Sequence, residues 1–210
     1  DGADAETHEW VRGVEDSFEA ALKGIRNLVE SGFKPQVIMT IMRHNKDQME
    51  QVVRLAERLG AGSVKFNILQ PTARGKKMLE SGEALSIDDL YSLGRWVENT
   101  LSVSSSLSLY YSHPMVFRSL GKMFGKNGDG CGICSILSIL GVLANGSYAL
   151  CGIGETVPDL VFGLAAEDSL EDIWNNTPRL LELREGLPYR LEGICRHCLM
   201  KGMCLGSCLA

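Results

Sequence analysis

The sequence predicts an α/β fold, and three observations predict it. Apolar residues recur at helical spacing in two stretches, each of which is followed by a short run rich in Val and Ile. The connections between these segments are tight, as crossover helices between parallel strands require. After about residue 120 the composition shifts toward Gly and Cys. Two units are therefore expected, over residues 1–120 and 121–210.

The elements follow in order. Over 16–31, Phe18, Leu22, Ile25, Leu28 and Val29 fall on one helical face, with Asp16 or Ser17 as the N-cap and Gly32 past the end. Residues 36–42, preceded by Pro35, read as a largely buried strand. A helix over 46–59 stops at Gly60, and 63–69 forms the next strand, beside the first. Ser86-Ile87-Asp88-Asp89 resembles a capping box opening a helix that runs to about Leu101. Residues 106–112 alternate as one more strand, and 121–130 reads as a Gly- and Lys-rich linker. Beyond it, 141–150 reads as a hairpin turning at Asn145-Gly146, two residues that tolerate positive φ. Residues 169–184 read as one short helix made irregular by Pro178, and the three tryptophans, Trp10, Trp96 and Trp174, as core residues on helical faces.

Composition excludes several function classes. The chain has 210 residues, 45% of them hydrophobic and 22% charged, with a formal net charge of −5. No basic run is long enough to track a phosphate backbone, so nucleic acid is not an expected partner. The longest apolar stretch, 133–143, is interrupted by Cys134, Ser135, Ser138 and Gly141 and falls short of the roughly 20 residues of a membrane span. No membrane association and no secretory signal are expected, and an odd number of cysteines points to reduced thiols in the cytoplasm.

The seven cysteines all lie in the C-terminal unit: Cys131, Cys134, Cys151, Cys195, Cys198, Cys204 and Cys208. Their spacing suits metal ligation, since thiolates hold iron-sulfur clusters or zinc and C-x2-C turns present two sulfurs together. Gly130, Gly132, Gly152, Gly154, Gly202 and Gly206 surround them and would let backbone N–H groups approach cluster sulfides, or would simply make turns. Zinc held by Cys195, Cys198, Cys204 and Cys208 is the plainer alternative; it leaves Cys131, Cys134 and Cys151, with His113 as a conceivable fourth ligand. His8, His44 and His197 read as loop or surface residues, and Lys76-Lys77 as solvated. Thr40, Asn67, Gln70 and Arg74 stand at or just past the C-terminal ends of expected strands, where parallel barrels assemble their sites.

Cys134, eleven residues, Gly146, four residues and Cys151, followed by Cys195-x2-Cys198-x5-Cys204-x3-Cys208, resembles the SPASM domain of radical S-adenosylmethionine (radical SAM) enzymes. Six of that signature's seven cysteines and its glycine are present. Phe162-Gly163 and the run from Asp168 to Trp174 resemble its linking segment. Asp1-Gly2, the stretch from His8 to Gly13, Ser17-Phe18, the run from Gln36 to Thr40 and that from Val64 to Asn67 resemble the late part of the partial (β/α)6 barrel of the same enzymes.

The resemblance implies the C-terminal part of a radical SAM barrel followed by a SPASM domain. It implies two auxiliary 4Fe-4S clusters, one held by Cys131, Cys134, Cys151 and Cys208, the other by Cys195, Cys198 and Cys204 with an open fourth position. It further implies that Thr40, Asn67, Gln70 and Arg74 line the mouth that binds S-adenosylmethionine and substrate, Arg74 facing a carboxylate. The C-x3-C-x2-C loop holding a third 4Fe-4S cluster is not in this sequence, so the chain by itself is expected to be inactive. The whole enzyme would be an oxidoreductase acting on a ribosomally made peptide, or on a small molecule in haem or quinone synthesis, served by an electron-donor protein. A non-catalytic metal-binding interaction module remains the other reading.

Overall fold

The computed structural model describes residues 1–112, 117–118, 120–125 and 137–206. It divides into two compact units, Asp1–His113 and Pro114–Ala210, where composition placed the break at 120/121.

In the first unit, β1 (Gln36–Ile41), β2 (Ser63–Ile68) and β3 (Ser108–Ser112) form a parallel sheet in the order β1-β2-β3. The first crossover is α3 (Met49–Leu59), entered through a 3-10 turn over Lys46–Gln48 and ended by Gly60 at φ +79°. The second contains α4 (Arg74–Glu80) and α5 (Ile87–Trp96), which continues through a π turn at Val97–Leu101 into α6 (Ser102–Ser104). α5 starts on the expected capping box, Ser86 Oγ accepting from Asp89 N–H at 3.0 Å while Asp89 returns to the Ser86 backbone.

Strand alternation decides what each face of the sheet does. Val37, Met39 and Ile41 of β1, Val64 and Phe66 of β2, and Leu109 and Tyr111 of β3 meet Met49, Val52, Val53 and Ala56 of α3 and Val97 and Leu101 after α5. Met39, Val64 and Phe66 are fully buried. The opposite face carries Gln36, Ile38, Thr40, Ser63, Lys65, Asn67, Ser108, Tyr110 and Ser112, each exposed or half-buried. The strand expected to be largely buried thus has one buried face, and Ile38 stands 51% exposed on the other.

Two further helices precede the sheet. α2 (Ser17–Glu30) is the expected one, with Asp16 at its N-cap position but making no side-chain cap there. α1 (Ala5–Arg12), too short and polar to show a periodic face, was not expected; it is capped by Asp4, whose carboxylate accepts from Thr7 N–H at 2.8 Å. Past the strand ends, Val11 of α1, Met42 and Leu69 form a small second core with Met78 and Leu79 of α4.

The first helix described in the second unit is α7 (Leu120–Phe124), which overlaps the start of the stretch expected to be a linker. β4 (Gly141–Val142), β5 (Ser147–Ala149) and β6 (Val161–Leu164) form an antiparallel sheet in that order. The β4–β5 turn is closed by Leu143 N–H donating to Ser147 O at 2.9 Å and by Asn145 Oδ1 accepting from Ser147 N–H at 3.0 Å, with Gly146 at φ +85°. The helix expected over 169–184 is two helices, α8 (Leu170–Asn176) and α9 (Pro178–Gly186). Thr177 is extended and Pro178 opens the new helix, because proline has no N–H to continue the first and suits an N1 position. Tyr148, Leu150, Leu160, Ile173 and Leu180 are the core of this unit. A short α10 (Lys201–Cys204) lies near the end.

Among the described residues no helix is long and apolar enough to cross a membrane. The tryptophans divide. Trp96 packs on the first core, and Trp174 carries the Arg184 guanidinium 4.0 Å above its ring. Trp10 is not core: it is 46% exposed and stacks on His44 with ring centroids 3.8 Å apart.

Candidate functional site: a polar strand-end row and a set of free thiols

Register brings three side chains into one row at the C-terminal end of the parallel sheet. Thr40 pairs with Asn67, and Asn67 with Ser112, so a hydroxyl, an amide and a second hydroxyl face the same way on adjacent strands. Ser112 Oγ and Asn67 Oδ1 lie 3.1 Å apart. With its oxygen so engaged, the Asn67 amide nitrogen is the group left to donate. Thr40 and Asn67 were marked by the sequence. Ser112 was not, although continuing the alternation of β3 to its last residue points to it.

The loops around this row are pinned from below. Asn45 is buried completely; its Oδ1 accepts from Met42 N–H at 2.8 Å and its Nδ2 donates to Asp1 O at 2.8 Å and Thr40 O at 2.9 Å. Asp1 Oδ1 accepts from Thr40 N–H at 2.8 Å and Oδ2 lies 3.5 Å from Arg12. Glu83 receives Arg43 N–H on its carbonyl and His44 N–H on its carboxylate. Burial, with Arg12 nearby, holds His8 below its usual range.

Arg74 and Gln70 behave differently from Thr40 and Asn67. The Arg74 guanidinium donates to Arg12 O and, at 2.7 Å, to Val11 O, capping the last turn of α1. A guanidinium at a helix C-terminus satisfies orphan carbonyls and opposes the helix dipole. Gln70 is exposed and reaches only Ile68 O, at 3.4 Å. Its carbonyl fills the space that a Cβ on Gly75 would occupy, and this close approach fixes the turn from which Arg74 starts.

In the second unit the described thiols are those of Cys151, Cys195, Cys198 and Cys204, all free and half-buried. Cys151 lies two residues past the end of β5 and just before a 3-10 turn over Gly152–Glu155, its carbonyl accepting from Gly154 N–H at 3.1 Å. Gly154 is needed there for packing, since a Cβ would stand 2.6 Å from the Ala149 methyl. Cys195 sits in the 3-10 turn Gly193–His197, closed by Cys198 N–H donating to Cys195 O at 3.2 Å. Cys204 ends α10, and Leu205 and Gly206 turn the chain away at φ +52° and +83°. His197 is exposed, as are Lys76 and Lys77.

Cys131, Cys134 and Cys208, with His113, lie outside the described residues. Among the described residues no three His, Cys, Asp or Glu side chains come together as a metal-holding group. The donor chemistry nonetheless suits soft metal: the described thiols are free, and Cys195 and Cys198 share one C-x2-C turn.

Residues 131–199 match SPASM, an iron-sulfur cluster-binding domain. The chain is also similar to an AdoMet-dependent heme synthase of Methanosarcina barkeri, 28% identical over 98% of this chain and 60% of that protein. It is 27% identical to the mycofactocin maturase MftC of Mycobacterium ulcerans over 100% of this chain and 54% of the relative. A shorter stretch of 84 residues is 32% identical to an Fe-coproporphyrin III synthase of Methanosarcina barkeri, covering 40% of this chain and 21% of that protein. The chain thus spans little more than half the length of the curated relatives matched along all of it. Residues 131–199 thus carry a SPASM domain, and along its whole length the chain is similar to an AdoMet-dependent heme synthase and a mycofactocin maturase.

Proposed function

We propose that this chain is the C-terminal part of a radical SAM oxidoreductase that modifies a ribosomally made peptide, and that it carries two auxiliary 4Fe-4S clusters. The observation that supports it most is the one-sided parallel sheet. Parallel sheets are ordinarily covered on both faces. Here α3 and the helical stretch from α5 to Leu101 pack on one face, while the other carries rows ending in Thr40, Asn67 and Ser112. A sector of a β/α barrel would present such a face, with its inner wall and strand ends forming the site.

On this reading Thr40 and Ser112 offer hydroxyls, and Asn67 an amide N–H, to S-adenosylmethionine or substrate at the barrel mouth. Arg74 acts by positioning, holding α1 beside the strand ends. Cys131, Cys134, Cys151 and Cys208 hold one cluster, and Cys195, Cys198 and Cys204 hold the other. When bound, the clusters of the whole enzyme supply the electron that cleaves S-adenosylmethionine to a 5′-deoxyadenosyl radical and the acceptor for the electron left after hydrogen abstraction. The chain's own part is to hold the thiols in their loops and to orient what binds at the strand ends.

A second reading, synthesis of a haem-type cofactor, is favoured by the 28% identity to the heme synthase. The deciding experiment takes the full-length gene product, reconstituted without oxygen and reduced, and measures 5′-deoxyadenosine and product mass. A precursor peptide encoded beside the gene, an iron porphyrin and no substrate are compared. A peptide-dependent mass change is expected. Turnover of the porphyrin alone establishes the second reading, and iron-loaded enzyme that forms no 5′-deoxyadenosine refutes both.

A further inference from the structure

We infer that Lys65 anchors a carboxylate of the substrate, with Ile38 and Tyr110 seating the apolar part of the molecule beside it. This rests on the proposed function, because it takes the open face of the sheet as the wall of a substrate chamber.

Of the nine described strand residues that face away from the helices, Lys65 alone is charged. It stands on the central strand, half-buried, in register with Ile38 on one side and Tyr110 on the other. Both neighbours are large, apolar in body and 51% exposed. Among the described residues no carboxylate lies within ion-pair distance of the Lys65 ammonium. Once a substrate covers this face, the ammonium loses water and needs an anion to meet it.

The chemistry narrows the anion. One ammonium is a compact point charge with three donors, which suits a monoanion. A phosphate or pyrophosphate would call for further cations or a nest of backbone N–H groups, and the other eight residues of this face include no cation. The apolar neighbours add a requirement for a hydrophobic body next to the carboxylate. Thr40, Asn67 and Ser112 lie two residues further along the strands, about 7 Å away at ordinary strand rise. A molecule held by its carboxylate at Lys65 therefore extends toward the polar row at the strand ends, where barrel chemistry takes place.

The test uses the full-length, iron-loaded enzyme and two probes of nearly equal shape, 3-phenylpropionate and 3-phenylpropionamide, with binding read by ligand-observed NMR. Wild type is expected to prefer the acid by about tenfold, the scale of one charge-assisted hydrogen bond in a partly wet site. Lys65→Met should bring the ratio near one while leaving amide binding unchanged, and Lys65→Arg should keep most of the preference. Equal binding of acid and amide by wild type overturns the inference. So does a Lys65→Met variant that keeps the preference while melting at a lower temperature, since Lys65 is then a structural residue. Should Lys65→Met fail to hold iron, Lys65→Gln against Lys65→Arg gives the same comparison. Formation of 5′-deoxyadenosine without substrate is recorded in parallel: its absence from wild type tells against the proposed function, whereas loss of the acid preference alone tells against Lys65.

Discussion

Asn45 joins the loop after β1 to the chain at Asp1 through one accepted and two donated hydrogen bonds, entirely out of water. Asn45→Ala leaves a buried N–H and two carbonyls without their partner, each costing about 1–3 kcal/mol, so a total loss of about 3 kcal/mol or more is expected in urea unfolding. Charge at the residue scale is carried by two carboxylates. Hydrogen bonds from Lys46 and Ser86 hold Asp89 down at about 2, and those from Ser105 and Ser106 hold Glu57 below its usual range. A depressed carboxylate contributes stability that is complete above its unfolded value, near 4, and is lost as pH falls through the folded one. Unfolding free energy should therefore decline between about pH 4 and pH 2, and Lys46→Met should flatten that decline; an unchanged pH slope would remove Lys46 from the account. Asn45 was not singled out in the sequence because nothing local distinguishes a buried asparagine from a turn asparagine. The Ser86–Asp89 box was, because its partners are three residues apart.

At the scale of elements, local signals located the long helices and the strands, and missed what is short or set by contacts. α2, α3 and α5 carry periodic apolar faces and end at Gly60 or begin at Ser86. α1 and α4 are eight and seven residues long, and each owes its place to Val11, Met42, Leu69 and the Arg74 cap. Pro178 was legible as an irregularity, but whether a proline kinks one helix or opens a second depends on how the two pieces pack. Phe66 lies at the centre of the sheet's helix-facing side with no exposure. Phe66→Ala should cost about 3–5 kcal/mol through lost burial and the cavity left behind. Gly60→Ala, at φ +79°, should cost about 1 kcal/mol or more by forcing a Cβ into the left-handed region. Thermal unfolding of the two variants checks the order, and a Phe66→Ala variant as stable as Gly60→Ala would show that the face is not the core.

At the scale of the molecule, the two units divide the chemistry, with strand ends in one and thiols in the other. If the ligand sets are as proposed, the reconstituted chain should hold about eight irons, two cubanes' worth. Cys151→Ala and Cys198→Ala should each remove about four, and the double variant nearly all. Loss of all iron on either single substitution would mean one shared site. Absence of acid-labile sulfide, with one zinc retained, would establish the structural-metal alternative.

The sequence by itself determined the parallel α/β unit and the cysteine-rich SPASM unit after it, because helix period, turn residues and ligand spacing are properties of neighbouring residues. Only the tertiary structure decided that Thr40, Asn67 and Ser112 share a row, that Lys65 stands alone on the open face and that Arg74 is spent on a helix end. Each of those facts joins residues between 27 and 63 positions apart, and register between distant strands arises from burial of one face against helices, which no local pattern records.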